Sequence, residues 1–363
     1  MMYPRLLLAQ SLLREDGVIF ISIDDHEVAN LRKMCDEVFG EGNFVAQLVW
    51  SAGRKNDSKH VSLSHEYVVC YFRNSLQIKE RSIVWREKKE GLADIYEKYE
   101  QLKKEFKEDI EAIELGMKRW FKSLQDGNPA KNHRHYSRVD SRGLFFADNI
   151  SWPGGGGPKY EVLHPVTGKP VKVPSRGWIT DQKTMMQWIA EDRVFFGPDE
   201  NRVPTIKAYL TDRESSVPYS VLYKDGRAAS KRLATLMGDK VFENPKDEQV
   251  IQRLLEWNQL SEGDIVLDFF SGSASVAHAC MLSNVAREDM GIRFVMVQIQ
   301  EPITTKGKTG SQLKVAENAL KLCNTLGVSA TICEIGKERI RRAGAKLREE
   351  YPEAEVDTGF RVL

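Results

Sequence analysis

The chain has 363 residues, with 53 Lys+Arg against 52 Asp+Glu for a formal charge of +1, 41% hydrophobic residues and 9% aromatic residues. That length points to about two domains, and the composition supplies enough apolar side chains for packed cores, which excludes a disordered chain. The charge balance excludes a uniformly basic nucleic-acid coat and an acidic tail protein, but it allows a local basic face.

Residues 5–15 read as an amphipathic helix, with Leu6, Leu7, Leu8, Leu12 and Leu13 among Arg5, Arg14 and Glu15, stopped by Asp16-Gly17. Val18–Ile23 reads as a buried strand of the kind found in parallel sheets, far too short to span a membrane. Asp24 or Asp25 can cap a helix over 26–39, whose face carries Val28, Leu31, Met34, Cys35 and Val38. Two further strands follow, Phe44–Trp50 and Tyr67–Phe72, and the alternation suggests an open α/β sheet.

The rhythm changes near residue 77. Apolar positions from Ile95 to Leu124 recur at steps of 3 and 4, which predicts one long amphipathic helix. Residues 127–240 are turn-rich, with Trp152-Pro-Gly-Gly-Gly-Gly157 and a helix near 181–191. From 241 the α/β pattern returns: a helix over Val250–Trp257, strands Ile265–Phe270 and Arg293–Ile299, a helix near 311–325, a third strand Ala330–Cys333, and a basic helix from Lys337. The expected division is 1–76, 77–240 and 241–363, one α/β domain interrupted by a loop-rich one.

The five cysteines (Cys35, Cys70, Cys280, Cys323, Cys333) are scattered and never CxxC, and the first residues carry no signal pattern. They read as reduced thiols of a cytoplasmic protein, not as metal ligands. His133 and His135 lie among Lys131, Arg134 and Arg138, which suggests a basic loop and not a metal site.

The sharpest local feature is Asp268-Phe-Phe-Ser-Gly-Ser-Ala-Ser275, a small-residue turn between strand and helix. Such turns bring ligands to backbone amides. A dinucleotide site needs three glycines for its pyrophosphate, and this turn has one. With Glu301 past the next strand, placed to grip ribose hydroxyls, the pattern suits a nucleoside cofactor without phosphates, such as S-adenosylmethionine. An ordinary strand-to-helix turn is the plain alternative.

Ile265–His278 resembles the "DIVLDFFAGSGTTAHA" region of β-class amino methyltransferases, specifically the Mod subunits of type III restriction-modification systems. Arg5–Asn43, His65–Asn74, Asn244-Pro245-Lys246 and Glu334–Ala343 resemble further stretches of that family, in the family's order. The resemblance implies a circularly permuted, Rossmann-like S-adenosylmethionine-dependent methyltransferase sheet with an inserted target-recognition domain. It also implies site-specific methyl transfer to a flipped adenine N6 in double-stranded DNA, as a homodimer beside a restriction (Res) subunit. By matching position, Asp268, Phe270, Gly272 and Ser273 shape the methionine end of the pocket, Glu301 holds the ribose, and Lys246 lies in the segment that lines the cofactor.

Two departures stand out. The family's catalytic Asp-Pro-Pro-Tyr belongs upstream of Arg5, and this sequence contains no Pro-Pro, so no catalytic residue is assigned. Ser216-Val-Pro-Tyr219 is a look-alike that reads as a turn. In the family the strand bearing the tetrapeptide lies between the strands at 265–270 and 18–23. One central strand is therefore expected to be missing, and Met1 is expected not to be the ancestral start. The second departure is Ala274, where the family has a second glycine.

Expected phosphate contacts are Arg134, Arg138, Arg176 and Lys207, with Lys131, Lys224, Arg227, Lys231 and Arg232 as further candidates, although any of them could be a solvated charge. Two other readings remain open: a non-catalytic DNA-binding remnant or half of a split methyltransferase, and a Rossmann-like oxidoreductase.

Overall fold

The computed structural model describes residues 2–51, 59–107, 109–224, 226–287 and 290–363; the expectation about Met1 falls outside the described residues. The chain forms two units, Met1–Glu87 with Val217–Leu363, and Lys88–Ser216. The inserted unit is narrower at both ends than the expected 77–240. Trp85 stays with the larger unit, its ring 5.9, 5.3 and 5.7 Å from those of Phe20, Phe72 and Trp257. At the other boundary, residues 221–223 extend a sheet of the larger unit.

The larger unit begins with α1 (Met2–Leu12), β1 (Val18–Ile23), α2 (Val28–Phe39), β2 (Phe44–Ser51), β3 (His65–Phe72) and α3 (Ser75–Glu80). Leu6 of α1 and Leu31, Cys35, Val38 and Phe39 of α2 bury against Val69 and Tyr71 of β3. Neither aspartate caps α2, whose N-cap is Glu27 with no side-chain bond. Asp24 accepts the His26 amide at 3.1 Å, and Asp25 accepts the Tyr67 hydroxyl at 3.0 Å. β1 also departs from expectation. It pairs antiparallel with β3, from Val18 opposite Phe72 to Ile23 opposite Tyr67, and is only partly buried. The cause is its place at a sheet edge. An apolar run reports burial potential, not neighbours.

The smaller unit contains α4 (Leu92–Phe106), α5 (Ile110–Ser123), β4 (Arg138–Asp140), β5 (Gly143–Asp148), α6 (Gln182–Ala190), β6 (Val194–Phe195) and β7 (Thr205–Tyr209). The single helix expected over 95–124 is broken. Lys107 has φ +55°, and Asp109 accepts the Ala112 amide at 2.9 Å, which starts α5. Both halves feed one core through Ile95, Leu102, Ile113, Met117 and Phe121, so the apolar spacing hides the break. The strands form an antiparallel sheet in the order β4, β5, β7, β6. Part of the glycine run is structural. A side chain at Gly157 would lie 2.6 Å from the Trp178 carbonyl, and one at Gly177 would lie 2.1 Å from that of Gly157.

Back in the larger unit come β8 (Val221–Tyr223), α7 (Gly226–Met237), α8 (Glu248–Glu256), β9 (Ile265–Asp268), α9 (Ser275–Ala286), β10 (Arg293–Met296), α10 (Gly310–Leu326) and α11 (Ile332–Glu350). The first sheet runs β1, β3, β2, β8, with β8 parallel to β2. On the face away from α1 and α2, Leu48, Trp50, Val68 and Leu222 pack on Val250 and Leu254 of α8 and on Trp257. β9 and β10 form a separate parallel pair, from Ile265 opposite Arg293 to Asp268 opposite Met296. On one face of this pair, Val266, Phe294 and Met296 pack on α9. On the other, Ile265, Leu267, Val295, Val297 and Ile299 are exposed.

The strand expected at 330–333 does not form. Thr331 makes a single bridge to Pro302, and α11 starts at Ile332. The helical spacing of Ile335, Ile340, Ala343 and Leu347, all buried, governs that segment. Among the described residues no helix is long and apolar enough to cross a membrane.

Candidate functional site

β9 ends at Asp268, and the chain turns through 269–274 before α9 begins at Ser275. The amides of this turn are largely committed. Asp268 Oδ1 accepts the Phe270 amide at 3.0 Å, the Ser271 amide donates to the Val297 carbonyl at 3.2 Å, and the Gly272 amide donates to Gln298 Oε1 at 2.8 Å. The Ala274 amide donates to the Ser271 carbonyl at 2.6 Å. Amides used in this way cannot cradle a pyrophosphate, so the turn fits a cofactor without phosphates better than a dinucleotide.

What the turn offers outward suits such a group. Phe270 is 54% exposed. Gly272 has φ +48°, and a side chain there would point at the Phe242 ring, 3.4 Å away. Burial pushes the Asp268 carboxyl above the usual carboxylate range, countered in part by its bond to Phe270. A desolvated carboxylate with one amide bond retains acceptor sites for a cationic ligand group, such as a substrate ammonium.

Glu301 ends the segment after β10. Its carbonyl accepts the Ile332 amide at 3.0 Å, which ties it to the start of α11. The residue is exposed and lines a cavity of about 240 Å³ with Phe242, Glu243, Ile303, Val315 and Ile335. Phe242 thus lines the cavity and lies next to the space in front of Gly272. An exposed carboxylate that lines a partly apolar cavity can accept from hydroxyls of a nucleoside sugar.

Two expected cofactor residues act differently. Ser273 is buried and its hydroxyl faces Arg339, 3.0 Å away, so it supports the turn from inside. Lys246 reaches the turn through its backbone, where its carbonyl accepts the Ser275 hydroxyl at 2.9 Å. Its ammonium pairs with Glu66 of β3 and lies 5.7 Å from the Trp50 ring. Sequence reasoning missed Gln298 and Arg339. An ordinary Gln at a strand end and one Arg in a basic helix carry no signal without the fold. His278, on α9 behind the turn, is pushed down to about 3 by burial and by Arg339, Lys346 and Arg232, so it is neutral. Burial pushes the Cys280 thiol up to about 12, which makes it inert.

β1 and β9 each have one sheet partner among the described residues. Arg14, four residues before β1, pairs with Asp264, just before β9, which links the two segments ahead of the strands. At the far end of α1, Arg5 lies 6.0 Å from the Phe270 ring. Leu7, Leu8 and Leu12 of α1 are exposed. The look-alike Ser216-Val-Pro-Tyr219 has no regular structure over 217–219, and Tyr219 is exposed.

The expected phosphate contacts divide. Arg134 and Arg176 are exposed, the latter also donating to the Pro153 carbonyl at 3.2 Å. Arg138 is half-buried, 4.6 Å from the Phe195 ring. Lys207 does not fit the role. Its ammonium is buried between Asp140 at 2.9 Å and Asp192 at 2.8 Å, and reaching a phosphate would break both pairs. Arg232 is likewise held, by Asp247 and Glu248. Lys131 pairs with Asp126, Lys224 is half-buried, and Arg227 and Lys231 are exposed. His133 lies 3.1 Å from the Glu90 carbonyl, and His135 packs 4.8 Å from the Phe146 ring.

Comparison with known proteins places the chain in a family. The chain is 33% identical over 360 residues to the EcoP15I Mod subunit, a type III restriction-modification enzyme of Escherichia coli; the match covers 96% of this chain and 51% of that protein. It is 30% identical over 371 residues to the StyLTI Mod subunit of Salmonella typhimurium, covering 99% and 47% respectively. The type II methyltransferase M.KpnI of Klebsiella pneumoniae is 25% identical over 320 residues, or 83% of this chain and 66% of that one. The chain thus spans about half the length of the Mod subunits it matches. A family model described as DNA methylase matches residues 1–306, and the chain belongs to this N6_N4_Mtase family.

Proposed function

We propose that this chain is the methyltransferase part of a type III Mod-like enzyme that methylates adenine N6 at specific DNA sites. The observation that carries the reading is the turn 268–275, with its committed amides, open Gly272 and desolvated Asp268, beside the Glu301 cavity. S-adenosylmethionine would supply an electrophilic methyl group there. Asp268 would hold the methionine ammonium, Glu301 the ribose hydroxyls, and Phe270 would flank the methionine end. The family resemblance supports adenine as the base and a circularly permuted domain, with residues 88–216 as the target-recognition insert. Within that insert Arg134, Arg176 and the half-buried Arg138 are the proposed phosphate contacts. Double-stranded DNA, a Res subunit and a second copy of the chain are the proposed partners, in the cytoplasm.

The catalytic loop is the missing part. Adenine N6 is a weak nucleophile because its lone pair is delocalised into the ring. Acceptors must take its two hydrogens, and an aromatic ring must stack on the flipped base. The sequence contains no Asp-Pro-Pro-Tyr to supply this group. The strand that would carry it would pair with the open edges of β1 and β9, each of which has one sheet partner among the described residues. Transfer of a labelled methyl group to duplex DNA tests the whole reading. The 363-residue chain alone should give none. Adding a polypeptide that carries the strand and an Asp-Pro-Pro-Tyr loop should restore it, with N6-methyladenine as product. Labelled N4-methylcytosine, or transfer by the chain alone, would overturn the corresponding part.

A further inference from the structure

Behind the turn lies a fully buried guanidinium. Arg339 of α11 is 1% exposed. Its Nη1 donates to Ser275 Oγ at 2.7 Å, to Ser273 Oγ at 3.0 Å and to the Ser273 carbonyl at 3.3 Å. Its Nη2 donates to Glu248 Oε2 at 3.2 Å, while Nε is buried without a partner. Glu248 and Asp247 also accept from Arg232, at 2.5 and 2.6 Å. A row of charges from α7 through α8 to α11 therefore ends on the serines of the turn. Burial pushes Arg339 down to about 10, against the pull of Glu248, so it remains charged at neutral pH.

The turn is buried from Ser273 through Ser275 and opens outward at Phe270 and Gly272. Ser271 is buried as well. One helical step before Arg339, Gly336 leaves no slack. A side chain there would sit 3.2 Å from the Gly272 carbonyl and 3.6 Å from the Ala274 methyl. α11 thus meets the turn twice on one face, at positions three apart. The turn needs such support, because Ala274 has φ +57°, a left-handed conformation unfavourable for a residue with a Cβ. A buried charge whose Nε goes unmatched is costly, so simple helix anchoring is a poor account of it.

We infer that Arg339 is the positioning residue of the cofactor turn. It fixes Ser273 and Ser275 from behind, and so holds Asp268, Phe270 and Gly272 in the shape that receives the methyl donor. This rests on reading the turn as an S-adenosylmethionine site.

Isothermal titration of the full 363-residue chain with S-adenosylhomocysteine, with melting temperatures recorded without ligand, separates the possibilities. A wild-type chain that binds none overturns the site reading, and this inference with it. Where the wild type binds, Arg339→Lys is expected to weaken binding about tenfold, since a point charge cannot reach Glu248 and both serines at once. Ser275→Ala, which deletes one hydroxyl, should weaken binding about threefold at temperatures well below its lowered melting point, where the chain is fully folded. In the Arg339→Lys background Ser275→Ala should add little, because the two share one contact. A helix-anchoring role predicts instead that affinity follows melting temperature through both variants. Ser275→Ala binding as tightly as wild type would overturn the inference, as would a folded Arg339→Lys with wild-type affinity.

Discussion

The two sheets of the larger unit are built to different standards. The β1-β3-β2-β8 sheet has Leu6, Leu31 and Phe39 on one face and Val250, Leu254 and Trp257 on the other. The β9-β10 pair is covered by α9 on one face and carries exposed Ile265, Leu267, Val295, Val297 and Ile299 on the other. A parallel pair is normally buried on both faces. The covered sheet supplies stability, and the half-bare pair carries the ligand-facing turn at its carboxyl end. That turn is held on one side by Val297 and Gln298, which follow β10, and from behind by Arg339 of α11.

Substitution at matched positions sharpens this contrast. Trp257→Ala, in the covered core, should cost about 3–5 kcal/mol by urea denaturation. Leu267→Ser, on the bare face, should change stability by less than about 0.5 kcal/mol. Equal costs would mean that the second face is not bare. At the site, Glu301→Ala should lower S-adenosylhomocysteine affinity about tenfold or more, because hydrogen bonds to a charged acceptor are worth about 1.5–3 kcal/mol each. Its melting temperature should not move, since the residue is exposed. A parallel loss of stability would make Glu301 a structural residue.

Asp268 gives a pH test with a definite sign. Its folded pKa is raised, so between the unfolded value near 3.8 and the folded one the native state binds the proton and the unfolded state does not. Stability from this group falls as pH rises through that window, and the cost persists at neutral pH. Asp268→Asn should therefore melt higher than wild type at pH 7, lose the pH slope and bind the cofactor poorly. A lower melting temperature at pH 7 would contradict the desolvation account. A small gain is expected at Ala274. Replacing it with glycine relieves a left-handed residue, offset in part by glycine's own entropy, for a gain of about 1 kcal/mol or less.

Much of the larger unit was legible because its signals are local. The apolar runs became β1, β2, β3, β9 and β10, and Asp247 and Gly327 sit at helix ends where their types predict. Pairing was not legible. The edge position of β1 and its antiparallel partner depend on residues far along the chain. The break at Lys107 was hidden because both helices keep one apolar stripe, and 330–333 was misread because its β-branched run opens a helix whose spacing appears only further on. At the candidate site, the turn pattern drew attention to Asp268, Gly272 and Glu301, which remain proposed cofactor residues. Lys207 could not be excluded, since its two carboxylate partners lie 67 and 15 residues away. Arg339 was invisible for the same reason, 66 and 64 residues from the serines it holds.

The most direct measurement is titration of the 363-residue chain with S-adenosylmethionine in parallel with NAD. The account predicts saturable one-to-one binding of S-adenosylmethionine and none of NAD. Binding of NAD with no S-adenosylmethionine binding would contradict it.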